Sequence, residues 1–222
     1  MIIFFSFTSL YSYNVTEEEF LSYIVSGNKE EVLNYINNKK VNINAKNDRG
    51  LTFLILSILH KQNEIAKILI KSGADIDLQD NLGLTALAYS LLHDNDEMSK
   101  ILIDSKADIH VKITVKTGYL DVKNVTLLML TTNPEIAKKL IEVGVNIDAQ
   151  ADFKSYMENM YLENITALIL AIFNDNTAKA EVLINSGANV NIKDRYGRTA
   201  LYYAKRNNNT KIVQMLIEKG AE

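Results

Sequence analysis

The 222 residues contain no cysteine, which removes disulfides and thiolate metal sites and leaves the redox compartment unmarked. There is no tryptophan and a single proline, Pro134. Histidine is confined to His60, His93 and His110, and arginine to Arg49, Arg195, Arg198 and Arg206. No apolar run reaches the roughly 18 residues that a membrane-spanning helix requires. The phosphate-binding loops, the G-x-G-x-x-G turn, the nucleophile elbow, H-E-x-x-H and the calcium loop are all missing. Carboxylates fall in turns, helix starts and segment ends, so no general acid–base pair stands out. The reading is a non-enzyme with no cofactor and no catalytic or metal site. Neither sign of charge dominates. With 24 Lys and Arg against 27 Asp and Glu, the net charge of −3 gives no general attraction to nucleic acid or to an anionic membrane.

Apolar residues are plentiful, at 47%, which argues for a packed core. Residues 1–13 (MIIFFSFTSLYSY) differ from the rest, being uncharged and rich in Ile, Phe, Leu and Tyr. They have the apolar centre of a secretory signal but lack the basic start. Residues 1–15 are therefore set apart as an apolar N-terminal segment. Export, or a periplasmic address, follows if residues 1–13 are a signal peptide, and a cytoplasmic one follows otherwise.

What recurs is a phrase. Gly50-Leu51-Thr52-Phe53-Leu54 returns at Gly83-Leu84-Thr85-Ala86-Leu87, one period of 33 residues on, and again at Gly197-Arg198-Thr199-Ala200-Leu201. A second phrase follows it: Gly73-Ala74-Asp75-Ile76-Asp77, Lys106-Ala107-Asp108-Ile109-His110, Gly144-Val145-Asn146-Ile147-Asp148 and Gly187-Ala188-Asn189-Val190-Asn191. Between the phrases, apolar residues repeat at helical spacing in pairs of segments, such as Leu54 to His60 with Ile65 to Ile70. A period of this length means one supersecondary unit stacked many times. Thr16-x-x-Glu19 reads as the capping box of the first helix. The core is expected to run from Phe20 to Ile217, with Leu54, Leu87, Leu128, Leu168 and Leu201 at its centre.

On these motifs the chain resembles the ankyrin-repeat family. The resemblance covers residues 16–222 in six units, at approximately 16–46, 47–79, 80–112, 113–150, 151–193 and 194–222. It implies an all-α repeat solenoid of stacked helix–turn–helix units with β-turn fingers. It also implies non-catalytic recognition of an unidentified protein partner through finger tips and first helices. The Pro and His of the family's T-P-L-H phrase are absent from every copy, so softer helix starts are expected.

Two fingers are long: Lys106 to Thr126 spans 20 residues and Gly144 to Thr166 spans 22, against 12 for Gly73 to Thr85. Ile109 to Lys123 alternates around Thr117-Gly118 and reads as an extended hairpin. Ala151 to Ile165, with Phe153, Tyr156, Met157, Met160 and Tyr161, reads as a short helix with an aromatic and Met face. The fourth unit is trimmed between Thr126 and Gly144. His60 and His93 stand one period apart, about 10 Å in a stack, which is too far for one zinc ion with His nitrogens about 2 Å away. They are either a shared polar contact or two exposed polar residues. Asn-x-Thr triplets at Asn14, Asn124, Asn164 and Asn208 carry little weight in a chain rich in Asn.

Exposed partner-binding candidates are Arg49, Leu51 and His60, then Leu82, Leu84 and His93. The long fingers add Thr117, Tyr119, Tyr156, Met157, Met160 and Tyr161, and the last unit adds Arg195, Tyr196, Arg198 and Arg206. Apolar turn residues with Arg beside them match the composition of binding hot spots. The rival is a self-associating scaffold using fingers 109–125 and 151–165. The basic last unit solubilises a terminal repeat or forms a docking patch. With no basic stripe elsewhere, nucleic acid is not an expected partner.

Overall fold

The computed structural model describes residues 15–157 and 160–222. The apolar segment 1–13 and Asn14 lie outside the described residues. Two compact units are formed, one up to Tyr89 and one from Ser90 onward.

In the first unit, α1 (Val15–Ser26) pairs with α2 (Lys29–Asn37), α3 (Phe53–Leu59) pairs with α4 (Asn63–Lys71), and α5 (Ala86–Leu92) begins. The starts of α2 and α3 have a local cause. The Asn28 side chain accepts the Glu31 N–H, and the Thr52 hydroxyl accepts that of Ile55 at 3.2 Å, satisfying donors that a helix start leaves open. Helix α3 is buried from Phe53 through Ile58, so it is apolar nearly all round, and its Ser57 hydroxyl donates to Leu54 O. Phe20 meets Phe53 edge to face at 4.8 Å and stacks on Tyr35 at 5.9 Å. Thr16 lies inside α1 and is not its cap, while Glu19 accepts the Tyr23 hydroxyl.

The finger turns correct a second expectation. Asn47 Oδ1 accepts the N–H groups of Arg49 and Leu51, and Asp80 Oδ1 accepts those of Leu82 and Leu84. Leu51 and Leu84 then precede the helix-opening Thr and are buried, at 7% and 8% exposure. An apolar residue just before the N-cap packs back on the first turn, so neither is available at the surface. The chain reverses at Gly50 with φ +76°, where a Cβ would come within 2.8 Å of the Asn81 backbone. The Asn81 N–H donates to Arg49 O, tying successive fingers together.

The second unit has two helix layers and a sheet. Helices α6 (Asp96–Asp104), α8 (Pro134–Glu142), α10 (Thr177–Asn185) and α12 (Thr210–Glu218) pack in series, as do α7 (Leu127–Leu130), α9 (Ala167–Phe173) and α11 (Ala200–Arg206). All five repeat leucines, Leu54 and Leu87 included, are buried. Ile217 is 55% exposed, so the core stops at Leu216, short of the expected end.

The first long finger is the expected hairpin, β1 (Lys112–Lys116) with β2 (Leu120–Thr126). The second is a hairpin too, β3 (Ala151–Ser155) with β4 (Met160–Ile165), where a short helix was expected. The cause is tertiary. Strand β3 pairs with β2 from Leu120↔Ser155 to Lys123↔Asp152, so both fingers join one antiparallel sheet in the order β1-β2-β3-β4. Each hairpin has a bulge at the same place. Asn124 (φ 57°) and Asn164 (φ 56°) stand two residues before Thr126 and Thr166, where short fingers have glycine. The Thr114 hydroxyl accepts the Asn124 N–H and Asp152 Oδ1 that of Asn164, at 3.3 and 2.9 Å. Asn tolerates this left-handed backbone better than other side chains, which accounts for two of the Asn-x-Thr triplets.

Helix α7 is the trimmed one. Its chain exit at Thr131 and Thr132 has carbonyls that no further helical turn covers. Lys179 Nζ donates to Thr131 O at 2.7 Å and Asn176 Nδ2 to Thr132 O at 2.6 Å. Lys179 is consequently buried, at 3% exposure.

Candidate functional site

Four of the sequence candidates, Thr117, Tyr119, Tyr156 and Met157, lie at the hairpin tips. The Thr117 hydroxyl accepts the N–H groups of Tyr119 and Leu120, so Thr117 builds the first turn. The Tyr156 N–H donates to Tyr119 O at 3.0 Å, which joins the two tips. Tyr119 and Met157 are 68% and 77% exposed there. Tyr156 lies edge to face with Tyr161 at 6.2 Å, and both rings are exposed. The tips thus leave several large apolar side chains open.

The patch leads into a hollow of about 390 Å³. It is lined by Met160, Tyr161 and Leu162 from the finger and by Phe173, Arg198, Tyr203 and Arg206. Helix α9 supplies Phe173 and α11 supplies Tyr203 and Arg206, so the hollow lies between a finger and two first helices. Tyr161 belongs to both tip and hollow.

Arg198 is fixed by its surroundings. Its Nε donates to Asp194 Oδ2 at 2.7 Å, and its guanidinium carbon lies 4.6, 5.6 and 5.1 Å from the rings of Tyr196, Tyr202 and Tyr203. Such stacking suits a planar cation. The Tyr203 hydroxyl donates to the same Asp194 oxygen at 2.7 Å. Burial pushes the Asp194 carboxyl up, but the Tyr203 hydroxyl and the Arg198 and Tyr196 donors outweigh it and hold it below the usual range. Burial, then Asp194, raises the Tyr203 phenol well above its ordinary value. Arg206 is exposed and makes no ion pair or hydrogen bond among the described residues.

Other candidates have internal duties. Arg195 Nη1 reaches both Glu163 oxygens at 2.7 Å, and Lys154 Nζ pairs with Glu163 Oε1 at 2.6 Å. These hydrogen bonds, Lys154 foremost, keep the Glu163 carboxyl below its usual range against the effect of burial. Arg195 thus fastens the last finger to β4. His60 is the half-buried C-cap of α3, and burial pushes its imidazole down; His93 is exposed, as are Arg49, Leu82 and Tyr196. Tyr203, Phe173 and Leu162 were missed by sequence reasoning. One signal was present: Asp80 and Tyr89 stand nine residues apart, as do Asp194 and Tyr203, and both pairs hydrogen-bond.

The family model described as ankyrin repeats (3 copies) matches residues 21–113 and 121–222. The chain belongs to the ankyrin-repeat family. Among curated relatives, a fowlpox virus putative ankyrin repeat protein, FPV034, is 46% identical over 52 residues, covering 23% of this chain and 12% of that protein. A second, FPV244, is 38% identical over 64 residues, covering 29% and 10%. The chain therefore matches only about a tenth of the length of these relatives. Among solved structures, an ankyrin repeat domain from Acinetobacter baumannii is similar with TM-score 0.74 and 22% identity, covering 93% of this chain and all of that one. The ankyrin domain of Bcl-3 gives 0.70 at 22%, covering 91% and 86%. A chain of the Bdellovibrio bacteriovorus predatory endopeptidase–immunity protein complex gives 0.71 at 24%, covering 90% and 97%. At these identities the likeness is one of fold. Ankyrin repeats are generally non-catalytic protein–protein interaction modules. No helix among the described residues is long and apolar enough to cross a membrane.

Proposed function

We propose that this ankyrin-repeat chain recognises a protein partner through the joined hairpin tips and the hollow beside them. The observation that carries this is the run of exposed apolar side chains from Tyr119, Tyr156 and Met157 through Tyr161 into a hollow that Phe173 also lines. Met adapts to a partner, and Tyr and Arg dominate binding hot spots. The sheet gives the tips a rigid base, so little ordering entropy is lost on docking. Recognition needs no chemistry from these residues, in keeping with the family's general role.

Replacing Met157 and Tyr161 together by Ser tests this. Both are exposed, so the thermal midpoint should stay within a few degrees of the parent, as for surface substitutions. A native partner recovered from host extract with the parent chain should be lost with the variant. Recovery unchanged would move the binding surface elsewhere. Light scattering of the purified parent separates self-association from binding a different protein: a concentration-dependent dimer that the double variant abolishes would assign the patch to self-pairing.

A further inference from the structure

We infer that the hollow takes a short acidic peptide segment with an apolar anchor, the anchor seated on Met160, Tyr161 and Phe173 and a carboxylate on Arg206. This deepens the proposed recognition function and rests on it. The walls suit the anchor, since Met160, Tyr161 and Phe173 keep apolar surface in the hollow beside the two arginines. The charge settles the anion. Within the hollow Arg198 is balanced by Asp194, whose side chain has no exposed surface, whereas Arg206 has no counter-ion among the described residues. A guanidinium presents a planar fork that matches a carboxylate in two-point contact.

The wider distribution of charge agrees. Residues 194–222 hold six Lys or Arg against three Asp or Glu, so they carry +3 in a chain of net −3, which leaves −6 for residues 1–193. An acidic segment is drawn to the last helix pair and away from the rest of the chain. Single-stranded nucleic acid would also like stacked aromatic rings and arginine. It brings a charge with every nucleotide, however, and beyond this one unit the chain is acidic. A peptide can confine its charge to the few residues beside its anchor. The position of Arg206 at the end of α11 also favours the helix dipole. That role alone would make the charge indifferent to ligand, and this is what the test separates.

The experiment is fluorescence anisotropy with defined probes. One is a short fluorescein-labelled peptide in which Phe-Leu is flanked by Glu and Asp. Its controls have Lys and Arg in place of the acids, or Ala-Ala in place of Phe-Leu. A labelled oligo-dT strand is the fourth probe. The acidic Phe-Leu peptide should bind tightest, and its affinity should fall with added salt. Arg206→Glu should weaken it by about tenfold or more and improve the basic control. Arg206→Gln, which keeps the side chain's bulk without charge, should fall between. Circular dichroism melts of both variants should stay within a few degrees of the parent, the lost dipole interaction being small.

Equal affinity for acidic and basic peptides, an unchanged affinity in Arg206→Glu, no binding of any peptide, or tighter binding of oligo-dT would each overturn the inference. The proposed surface is tested separately by the Met157 and Tyr161 double variant. If that variant loses its native partner while the acidic peptide fails here, the surface stands and the acidic occupant falls.

Discussion

Lys179 is a charged residue buried at 3% exposure, with a backbone carbonyl, that of Thr131, as its acceptor. Burial alone lowers its ammonium from 10.5 to about 7. In the unfolded chain the ordinary value returns, so between about pH 7 and 10.5 the unfolded state binds more protons than the folded one. Stability should therefore rise with pH across that window and lose the gain as pH falls to 7, on the order of a few kcal/mol. Urea denaturation of parent and Lys179→Met at several pH values measures this, because every other titrating group is common to both. Parallel pH profiles would show that Lys179 is not buried as a neutral amine. Single residues of this kind were not legible in the sequence. The trimming of the fourth unit was visible in the spacing, but not that a lysine from α10 would close the gap. Leu51 and Leu84 went wrong for a related reason. Turn position was read correctly, but the side of the chain each leucine faces is set by the helix it precedes.

The elements were legible where a motif repeats. Helix pairs, the helix-opening Thr and the hairpin at Ile109 to Lys123 follow from spacing and alternation. The hairpin β3–β4 was missed because Phe153, Tyr156, Met157, Met160 and Tyr161 happen to fall at helical spacing. What overrode that pattern was pairing with β2, a contact made across sequence-distant residues. The shared bulge supplies a test of the register. Asn164 holds φ 56° opposite Asp152, and its carbonyl accepts Gln150 Nε2 at 2.7 Å. Asn164→Ala should cost about 1–2 kcal/mol, the usual penalty for a Cβ in left-handed backbone, and Asn164→Gly should cost far less. Asn124 should behave alike. Chemical denaturation gives both numbers, and a neutral Asn164→Ala would mean that the strand is not bulged there.

Stacked repeats distribute stability between neighbours, and the second unit makes the consequence measurable. Helix α9 packs on α7, α10 and α11, whereas α11 packs on α9 and α12. Leu168 in α9 is 1% exposed and Leu201 in α11 is 7% exposed, at the same place in the repeat. In a nearest-neighbour array, a cavity in a helix with more packed neighbours weakens more interfaces. Both Leu→Ala changes should fall within about 2–5 kcal/mol, with Leu168→Ala near the top and Leu201→Ala near the bottom. The unfolding curves should differ in shape as well. Leu201→Ala should loosen α11 and α12 locally, seen as faster hydrogen exchange there with little change at α8 and α10. Leu168→Ala should interrupt coupling in the middle of the unit and broaden the transition or split it into two steps. Equal costs with single sharp transitions in both variants would mean that the unit folds as one cooperative block, and that the hollow beside α9 and α11 cannot open independently of the sheet.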